Sequence, residues 1–314
     1  MAKKWTGKDI PDLQGKRVVI TGANGGLGFE TSQALAAHGA QVILAVRSPE
    51  KGQAEAQAIR STQPQASLEI MQLDLADLGS VHRFAEAYLE RYQTLDVLIN
   101  NAGIMAIPLK HTVDGFEMQL GTNHLGHFAL TGLLLTALLA AEAARVVTVT
   151  SIAHIVGALD FKNLDGSKSY GAWKAYNQSK LANLLFVYEL QRRFEACRAR
   201  AISVGCHPGY SATNLQMVGP RMADNRPIEK LMVWANRTFA QSAAMGALNL
   251  LYAATAADMA GGDFIGPRGM IGMSGYPGKT QSSRRSHDPR LAKRLWEISE
   301  DLTGVRYSQL RPAS

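Results

Sequence analysis

Residues 17–28 read RVVITGANGGLG, a run of branched apolar residues that passes directly into a glycine-rich turn. Continuous Val and Ile residues, rather than alternating ones, are typical of a strand that is buried on both faces of a sheet. Gly22, Gly26 and Gly28 allow a tight turn and a close approach of backbone N–H groups to a pyrophosphate, which the start of the next helix also attracts. Between a strand and a helix, this stretch predicts a dinucleotide site.

Similar apolar runs follow along the chain and alternate with helical segments. Strands are predicted at 17–21, 41–46, 68–73, 95–100, 145–150, 201–206 and 263–266. Repeated strand–helix–strand units with short connections imply a parallel sheet with helices on both sides. We therefore expect an α/β protein, with a Rossmann-type doubly wound sheet of about seven strands flanked by helices on both faces.

Length and composition favour one domain. The chain has 314 residues, of which 46% are hydrophobic and 19% charged, an ordinary globular composition. We expect a single domain over residues 1–314, with a cofactor-binding part at about 15–205 and a substrate lid and C-terminal extension at about 206–314. Long helices are expected at 115–141, 229–240 and 242–256.

The charge pattern and the apolar segments restrict the class of partner. The formal net charge is +7, but the basic residues are scattered, so nucleic acid is not expected as a partner. The N-terminus has no signal-peptide core, and the longest apolar stretch, 128–141, is too short for a membrane span. Two cysteines, Cys197 and Cys206, make no disulfide framework. We expect a cytoplasmic protein of undetermined oligomeric state that acts on a small molecule.

Tyr176 and Lys180 lie four residues apart in AYNQSKLANLLF, a spacing that places both side chains on one face of a helix. An ammonium beside a phenol favours the phenolate and lowers the pKa of the tyrosine towards neutral pH. A tyrosine of this kind can donate or accept a proton during a reaction. The spacing alone is weak evidence for catalysis, but together with a dinucleotide-binding turn it makes Tyr176 and Lys180 a candidate catalytic pair.

The end of the second predicted strand indicates which dinucleotide binds. An acidic residue there usually binds the ribose hydroxyls of NAD, whereas an arginine accommodates the 2′-phosphate of NADP. This chain has the apolar Val46 followed by Arg47. Because a guanidinium suits a phosphate, we predict NADP(H) as the cofactor; the alternative is a solvated surface arginine.

Seven motifs follow one another in an order that resembles the short-chain dehydrogenases/reductases. They are TGANGGLG (21–28), LDLADL with Asp74, NNAG (100–103), TNHLGHF with Asn123, VTVTSIAH with Ser151, YNQSK (176–180) and PGYSAT (208–213). The resemblance covers about residues 15–305. Within that family the chain looks most similar to the branch of retinol dehydrogenases and light-dependent protochlorophyllide reductases. It implies an enzyme that interconverts a carbonyl and an alcohol by hydride transfer.

The resemblance also implies roles for four catalytic residues. Tyr176 matches the general acid that gives its proton to the carbonyl oxygen, and Lys180 matches the residue that binds the nicotinamide ribose and lowers the tyrosine pKa. Ser151 matches the hydroxyl that holds the substrate carbonyl. Asn123 matches the position that anchors a water linking Lys180 to solvent.

Further positions are expected, through the resemblance, to contact the cofactor. Asp74 accepts from the adenine amino group with the Leu75 backbone beside it, and NNAG lies under the adenosine half. Pro208, Gly209 and Thr213 border the nicotinamide carboxamide. The full set is Gly22, Asn24, Gly26, Leu27, Gly28, Arg47, Asp74, Leu75, Asn100, Ala102, Gly103, Tyr176, Lys180, Pro208, Gly209 and Thr213.

Two other functions stay open at this point. One is an NADPH-dependent C=C reductase of the protochlorophyllide reductase type, although that subgroup carries KVCN where this chain has KLAN after Asn177, Gln178 and Ser179. The other is a catalytically silent NADP(H)-binding sensor, which usually lacks the tyrosine or the lysine.

The remaining notable residues receive simpler interpretations. His124 and His127 have no carboxylate or cysteine at metal-like spacing, so no metal is expected. His154 and His207 flank the site and are interpreted as structural hydrogen-bonding residues. A lid containing Leu215, Met217, Met222, Met232 and Trp234 favours an apolar substrate.

Overall fold

A computed structural model of the protein describes residues 4–211, 240–269 and 272–310. Its strands, in chain order, are β1 (Arg17–Thr21), β2 (Gln41–Val46), β3 (Leu68–Gln72), β4 (Val97–Asn100), β5 (Arg145–Val149), β6 (Ile202–Cys206), β7 (Phe264–Pro267) and β8 (Pro277–Lys279). They form one sheet with the spatial order β3-β2-β1-β4-β5-β6-β7-β8. Strands β1 to β7 run parallel, and β8 pairs antiparallel with β7. The predicted α/β sheet is confirmed.

Strand β8 is an addition to the seven strands that the sequence predicts. Its three residues read PGK, with no apolar run that would indicate a strand. The pairing of Gly266 with Gly278 and of Pro267 with Pro277 recruits it to the sheet edge. A strand that depends on pairing rather than on side-chain pattern leaves no local signal.

Helices cover the sheet. They are α1 (Gly26–Ala37), α2 (Pro49–Thr62), α3 (Leu78–Arg91), α4 (Met118–Leu120), α5 (Gly126–Leu133), α6 (Leu135–Ala140), α7 (Ala172–Ala196), α8 (Ala243–Thr255) and α9 (Pro289–Thr303). A π-helical turn, Gly121–Leu125, joins α4 to α5. Among the described residues, none of the helices has the length and apolar character needed to cross a membrane.

The long helical predictions have three outcomes. The helix at 242–256 is confirmed by α8. The helix at 115–141 is wrong as one continuous element, because the π-helical turn interrupts it and a second break at Leu134 separates α5 from α6. The helix at 229–240 falls almost wholly outside the described residues.

The core lies on both faces of the sheet, as the continuous apolar strands require. On β1, Val19 faces one side with Phe128 and Phe186, whereas Val18 and Ile20 face the other. The second side is covered by apolar residues of α1, α2 and α8, including Leu35, Ile59 and Leu250. Burial on both faces explains why Val18, Val19 and Ile20 are all apolar.

The strand order positions the site. Strands β1, β4, β5 and β6 are neighbours, and their carboxyl ends carry the glycine-rich turn, NNAG, Ser151 and Pro208. The strand order reverses between β1 and β4, and open α/β sheets bind ligands outside the strand ends at such a point. The predicted motifs therefore meet at one edge.

Candidate active site

The glycine-rich turn brings β1, α1 and the NNAG segment into close contact. Gly22 has a φ of 66°, in the left-handed region that favours glycine, and a Cβ there would lie 3.0 Å from Ala102. A Cβ at Gly28 would collide with the carbonyl oxygen of Gly22. Helix α1 begins at Gly26 without a side-chain cap, so its first N–H groups remain available to an anion.

Tyr176 and Lys180 both lie on α7 and face the protein interior, as the spacing predicts. Only 4% of Tyr176 and 3% of Lys180 is exposed. The Lys180 ammonium donates to the carbonyl oxygen of Val149 over 3.4 Å, a long hydrogen bond for a buried charge. Asn183 Nδ2 donates to the same oxygen over 3.1 Å.

Burial shifts both side chains of the pair towards their neutral forms. It raises the pKa of Tyr176 to about 12, while the nearby Ser151 hydroxyl acts in the opposite direction. It lowers the pKa of Lys180 to about 8, while the neighbouring Cys206 acts in the opposite direction. The cost of burying a phenolate dominates the pKa of Tyr176, and the lowering of that pKa by Lys180 stays a prediction.

Ser151 stands directly after β5, at the start of a short 3₁₀ turn. Its Oγ accepts from the Ala153 N–H over 3.2 Å, which holds the side chain at the strand end. Its hydroxyl is also near enough to the Tyr176 phenol to oppose the rise of the phenol's pKa, so the predicted pair of hydroxyl donors is brought together. Thr150, beside it, donates to the carbonyl oxygen of Lys180 over 2.8 Å and so has a structural role.

Asn123 lies fully buried in the π-helical turn. Its Oδ1 accepts from the Ile104 N–H over 2.8 Å, and its Nδ2 donates to the Ile104 carbonyl and to Ser179 Oγ, over 3.0 and 2.9 Å. These bonds join the turn to the segment after NNAG and to α7. An extra residue in a helix of this kind is often found at functional sites.

Gly103 marks the place where Asn123 and Lys180 meet. A Cβ on this glycine would lie 3.2 Å from Asn123 Oδ1 and 3.5 Å from Lys180 Nζ. A side chain at this position would crowd both groups, so the glycine lets the backbone of NNAG lie close to a buried ammonium whose one hydrogen bond, among the described residues, is long. A buried ammonium at the sheet edge and the uncapped start of α1 suit the hydroxyl and phosphate groups of a nicotinamide dinucleotide.

Comparison with known proteins identifies the family. The profile described as short chain dehydrogenase matches residues 16–223. The chain belongs to the short-chain dehydrogenase family. It is similar to human retinol dehydrogenase 11, at 39% identity over 297 residues, which cover 93% of this chain and 87% of that protein. This confirms the resemblance to the retinol dehydrogenase branch.

Two further proteins are similar to this chain over nearly its whole length. The polyprenol dehydrogenase of Danio rerio is 37% identical over 306 residues, which cover 95% of this chain and 90% of the relative. A crystal structure of a protein from Mycobacterium paratuberculosis has a TM-score of 0.80 and 45% identity, with 97% and 99% of the two chains covered. As a short-chain dehydrogenase, the protein is an oxidoreductase that uses a nicotinamide cofactor.

The residues predicted to bind the adenosine half of the cofactor lie at the ends of β2 and β3. Arg47 is exposed directly after β2, and Ser48 caps α2 by accepting from the Lys51 N–H over 3.3 Å. Asp74 follows β3, and its Oδ1 accepts from the Ala76 N–H over 2.9 Å. Leu75, next to Asp74, is buried.

The NNAG segment contributes in different ways along its length. Asn100 is fully buried and donates to Thr131 Oγ1 and Thr148 Oγ1, over 3.2 and 3.4 Å, so its side chain anchors the loop from below. Asn101 donates to the Thr21 carbonyl over 2.8 Å and thereby links NNAG to the glycine-rich turn. Sequence reasoning gave Asn101 no role, although its place within the motif was a signal.

The remaining predicted cofactor residues lie on either side of these elements. Asn24 is exposed in the glycine-rich turn, and Leu27 is half-buried in the first turn of α1. Pro208 and Gly209 follow β6, where Gly209 has a φ of 67° and its N–H donates to His207 Nδ1 over 3.3 Å. Thr213 lies outside the described residues.

The interpretation of His154 and His207 as structural residues is confirmed. His154 Nδ1 donates to the Ser151 carbonyl over 2.6 Å, and its Nε2 accepts from the Ser283 N–H over 3.2 Å. His207 stacks on Phe264, with ring centres 5.3 Å apart.

A buried amide on α4 connects the loop after NNAG to the start of α7. Gln119 accepts from the Ala106 N–H over 2.7 Å and donates to the Ala172 carbonyl and to Tyr170 Oη, each over 2.9 Å. Sequence reasoning missed this contact, because a single glutamine in a helical segment carries no local signal.

Proposed function

We propose that this dehydrogenase interconverts an apolar ketone or aldehyde and the corresponding alcohol with NADP(H) as its cofactor. The observation that carries the proposal is the Tyr176 phenol, which lies beside the Ser151 hydroxyl and has the buried Lys180 ammonium 5.7 Å from its ring centre. These groups lie at the carboxyl edge of the sheet, next to the glycine-rich turn and Gly103.

The two hydroxyls perform the acid–base part of the reaction. Ser151 donates a hydrogen bond to the carbonyl oxygen, and Tyr176 donates its proton to that oxygen as negative charge develops there. When bound, the nicotinamide supplies the hydride to the carbonyl carbon. The ammonium of Lys180 stabilises the phenolate that remains on Tyr176 and holds the cofactor ribose.

Arg47 supports NADP(H) rather than NAD(H). Its guanidinium is exposed at the end of β2, and the N-terminus of the fourteen-residue helix α2 begins two residues later, at Pro49. A positive side chain beside a helix N-terminus suits a phosphate group.

An apolar substrate is supported by the side chains around the hydroxyl pair. Trp173 is 51% exposed and lies edge-on to the Tyr176 ring, with ring centres 6.0 Å apart. Ile155 and Val156, in the turn that starts at Ser151, are also exposed. The names retinol and polyprenol dehydrogenase of the relatives describe long apolar alcohols. The lid residues and the cytoplasmic location expected from the sequence stay predictions.

The test is a dark assay of the purified full chain with NADPH or NADH and a series of aldehydes and ketones of increasing chain length. We expect NADPH oxidation that is faster with longer apolar carbonyls. Turnover restricted to protochlorophyllide under light would favour the C=C reductase. Tight NADPH binding without turnover of any carbonyl would favour the silent sensor and contradict the proposal.

A further inference from the structure

The imidazole of His127 connects Asn123, the predicted proton-relay residue, to the end of β1. That strand end directly precedes the glycine-rich turn. The ring is 1% exposed in the first turn of α5. Its Nδ1 lies 3.0 Å from the Asn123 carbonyl oxygen, and its Nε2 lies 2.9 Å from Thr21 Oγ1. Because a carbonyl oxygen only accepts, Nδ1 carries the proton, and Nε2 accepts from the threonine hydroxyl.

The threonine extends this connection to NNAG. Thr21 is the last residue of β1 and directly precedes Gly22. Its Oγ1 accepts from the N–H groups of Asn101 and Ala102, each over 2.9 Å. The Ile99 carbonyl, 3.4 Å away, is a more distant acceptor for the hydroxyl than His127 Nε2. One hydroxyl therefore joins the histidine to two consecutive backbone groups of the cofactor loop.

One end of this chain of hydrogen bonds is NNAG, the predicted cofactor loop, and the other end is Asn123. Ala102 is followed by Gly103, which faces Asn123 Oδ1 and Lys180 Nζ. At the other end, His127 holds the backbone carbonyl of Asn123 itself. A displacement of either end would move the cofactor loop relative to the relay residue, and misplacement by about 1 Å can cost about 100-fold in rate.

We propose that His127 is a positioning residue. Through Thr21, it fixes the position of the cofactor loop NNAG relative to the relay residue Asn123. The proposal rests on the proposed function, since it concerns the same hydride transfer. Burial lowers the pKa of His127 to about 4, with Lys180 acting in the same direction and the Asn123 hydrogen bond opposing it. The neutral ring therefore keeps the Nε2 acceptor that Thr21 needs.

His127→Asn tests the proposal, because the shorter amide can replace the Nδ1 donor but does not reach Thr21. We expect kcat to fall about tenfold or more and the Kd for NADPH to rise severalfold. His124→Asn is the matched control: this histidine lies in the π-helical turn, is equally buried and bonds Ser299 Oγ over 2.8 Å instead. The control should lower the melting temperature but change kcat and Kd by less than about twofold.

Three further experiments separate positioning from general stability. Amide hydrogen exchange at Asn101 and Ala102 should accelerate in His127→Asn but not in His124→Asn. Thr21→Val should reproduce the kinetic loss, and the double variant should be no slower than the worse single variant. His127→Gln, whose longer amide can reach Thr21, should recover part of the loss.

The outcomes distinguish this proposal from the proposed function. If His127→Asn lowers the melting temperature as His124→Asn does, but leaves kcat, Kd and exchange unchanged, His127 is an ordinary core residue and the proposal is wrong. If the unmodified protein turns over no carbonyl, the proposed function is wrong. NADPH affinity and amide exchange still decide the role of His127 in that case.

Discussion

The ammonium of Lys180 lies 5.7 Å from the centre of the Tyr176 ring, one helical turn along α7. Both groups are buried, and burial penalises the charged form of each: it raises the pKa of the phenol and lowers that of the ammonium. The phenol therefore holds its proton at neutral pH, which is the form that a proton donor requires. The Ser151 hydroxyl favours the phenolate that remains after the transfer.

Replacing Tyr176 by phenylalanine should lower kcat by about 10²- to 10⁴-fold, because general acid catalysis typically contributes that much. The Kd for NADPH should change little, since the ring itself remains. Tyr188→Phe is the control on the same helix, where the lost hydroxyl bonds Ser282 Oγ. Steady-state assays and NADPH fluorescence titrations give both quantities. Residual activity near that of the Tyr188 variant would assign the proton donor elsewhere.

The Lys180 pKa of about 8 predicts a pH dependence of cofactor binding. The ammonium is charged below that pH and neutral above it, so NADPH affinity should decrease as the pH rises through about 8. Lys180→Met should bind NADPH more weakly at every pH and lose this dependence. Fluorescence titrations of NADPH across the range provide the measurement. An affinity that stays constant on both sides of pH 8 would argue against a role for the lysine charge in binding.

Most of the sheet and the placement of Tyr176 beside Lys180 could be predicted because their signals are local. RVVIT and the other parallel strands are apolar on both faces, which a short window of sequence reveals. The spacing of Tyr176 and Lys180 places them on one helix face wherever that helix packs. The motifs meet because the carboxyl ends of parallel strands share one edge.

What the sequence left undetermined depends on long-range contacts. The π-helical turn looks like ordinary helix in sequence, and the Asn123 bonds to Ile104 across the site are visible only in the fold. The raised pKa of Tyr176 follows from burial, which spacing does not report. The direction of the His127 ring is likewise set by Thr21, which is 106 residues away along the chain.

Four buried histidines predict loss of stability in mild acid. Burial lowers the pKa of His124 to about 3, lowers that of His127 and His207 to about 4, and also lowers that of His154, all from the usual 6.5. As the pH falls from about 6.5, the unfolded chain binds protons that the folded protein does not, so the free energy of unfolding decreases. The stability is complete above about pH 6.5 and is lost progressively towards pH 4.

Each histidine contributes a slope of up to about 1.4 kcal/mol per pH unit in this window. Urea unfolding at pH 7, 6 and 5.5 measures this slope. These pH values lie above the range in which most carboxylates titrate. His124→Asn should reduce the slope by about the share of one histidine. A free energy of unfolding that does not change over this range would contradict the burial of neutral imidazoles.

Arg47→Ala should narrow the preference for NADPH over NADH. A charge-assisted hydrogen bond to a phosphate contributes about 1.5–3 kcal/mol, so the Kd for NADPH should rise about 10- to 100-fold. The Kd for NADH should stay nearly constant, because NADH lacks the 2′-phosphate. Arg290→Ala, on the exposed first turn of α9, is the control for loss of one positive charge. Equal binding of NADPH and NADH by the wild-type protein would contradict the proposal that Arg47 binds the 2′-phosphate.

Trp173→Ala should impair the use of long apolar carbonyls more than that of short ones. The exposed indole contacts Tyr176 edge-on and offers an apolar wall beside the proton donor. Loss of an apolar contact of this size is worth about 1.5–3 kcal/mol, which corresponds to about a 10- to 100-fold rise in KM for a long aldehyde. A short aldehyde that does not reach the indole should show unchanged constants.

The short aldehyde also separates substrate binding from damage to the catalytic tyrosine. If Trp173 acts only by supporting the Tyr176 ring, its removal should lower kcat for short and long substrates alike. If it forms the wall, the loss should appear in KM and grow with chain length, and Trp173→Phe should restore most of it because a phenyl ring retains the apolar surface. A uniform loss of kcat would therefore reassign Trp173 to support of Tyr176 and weaken the case for an apolar substrate.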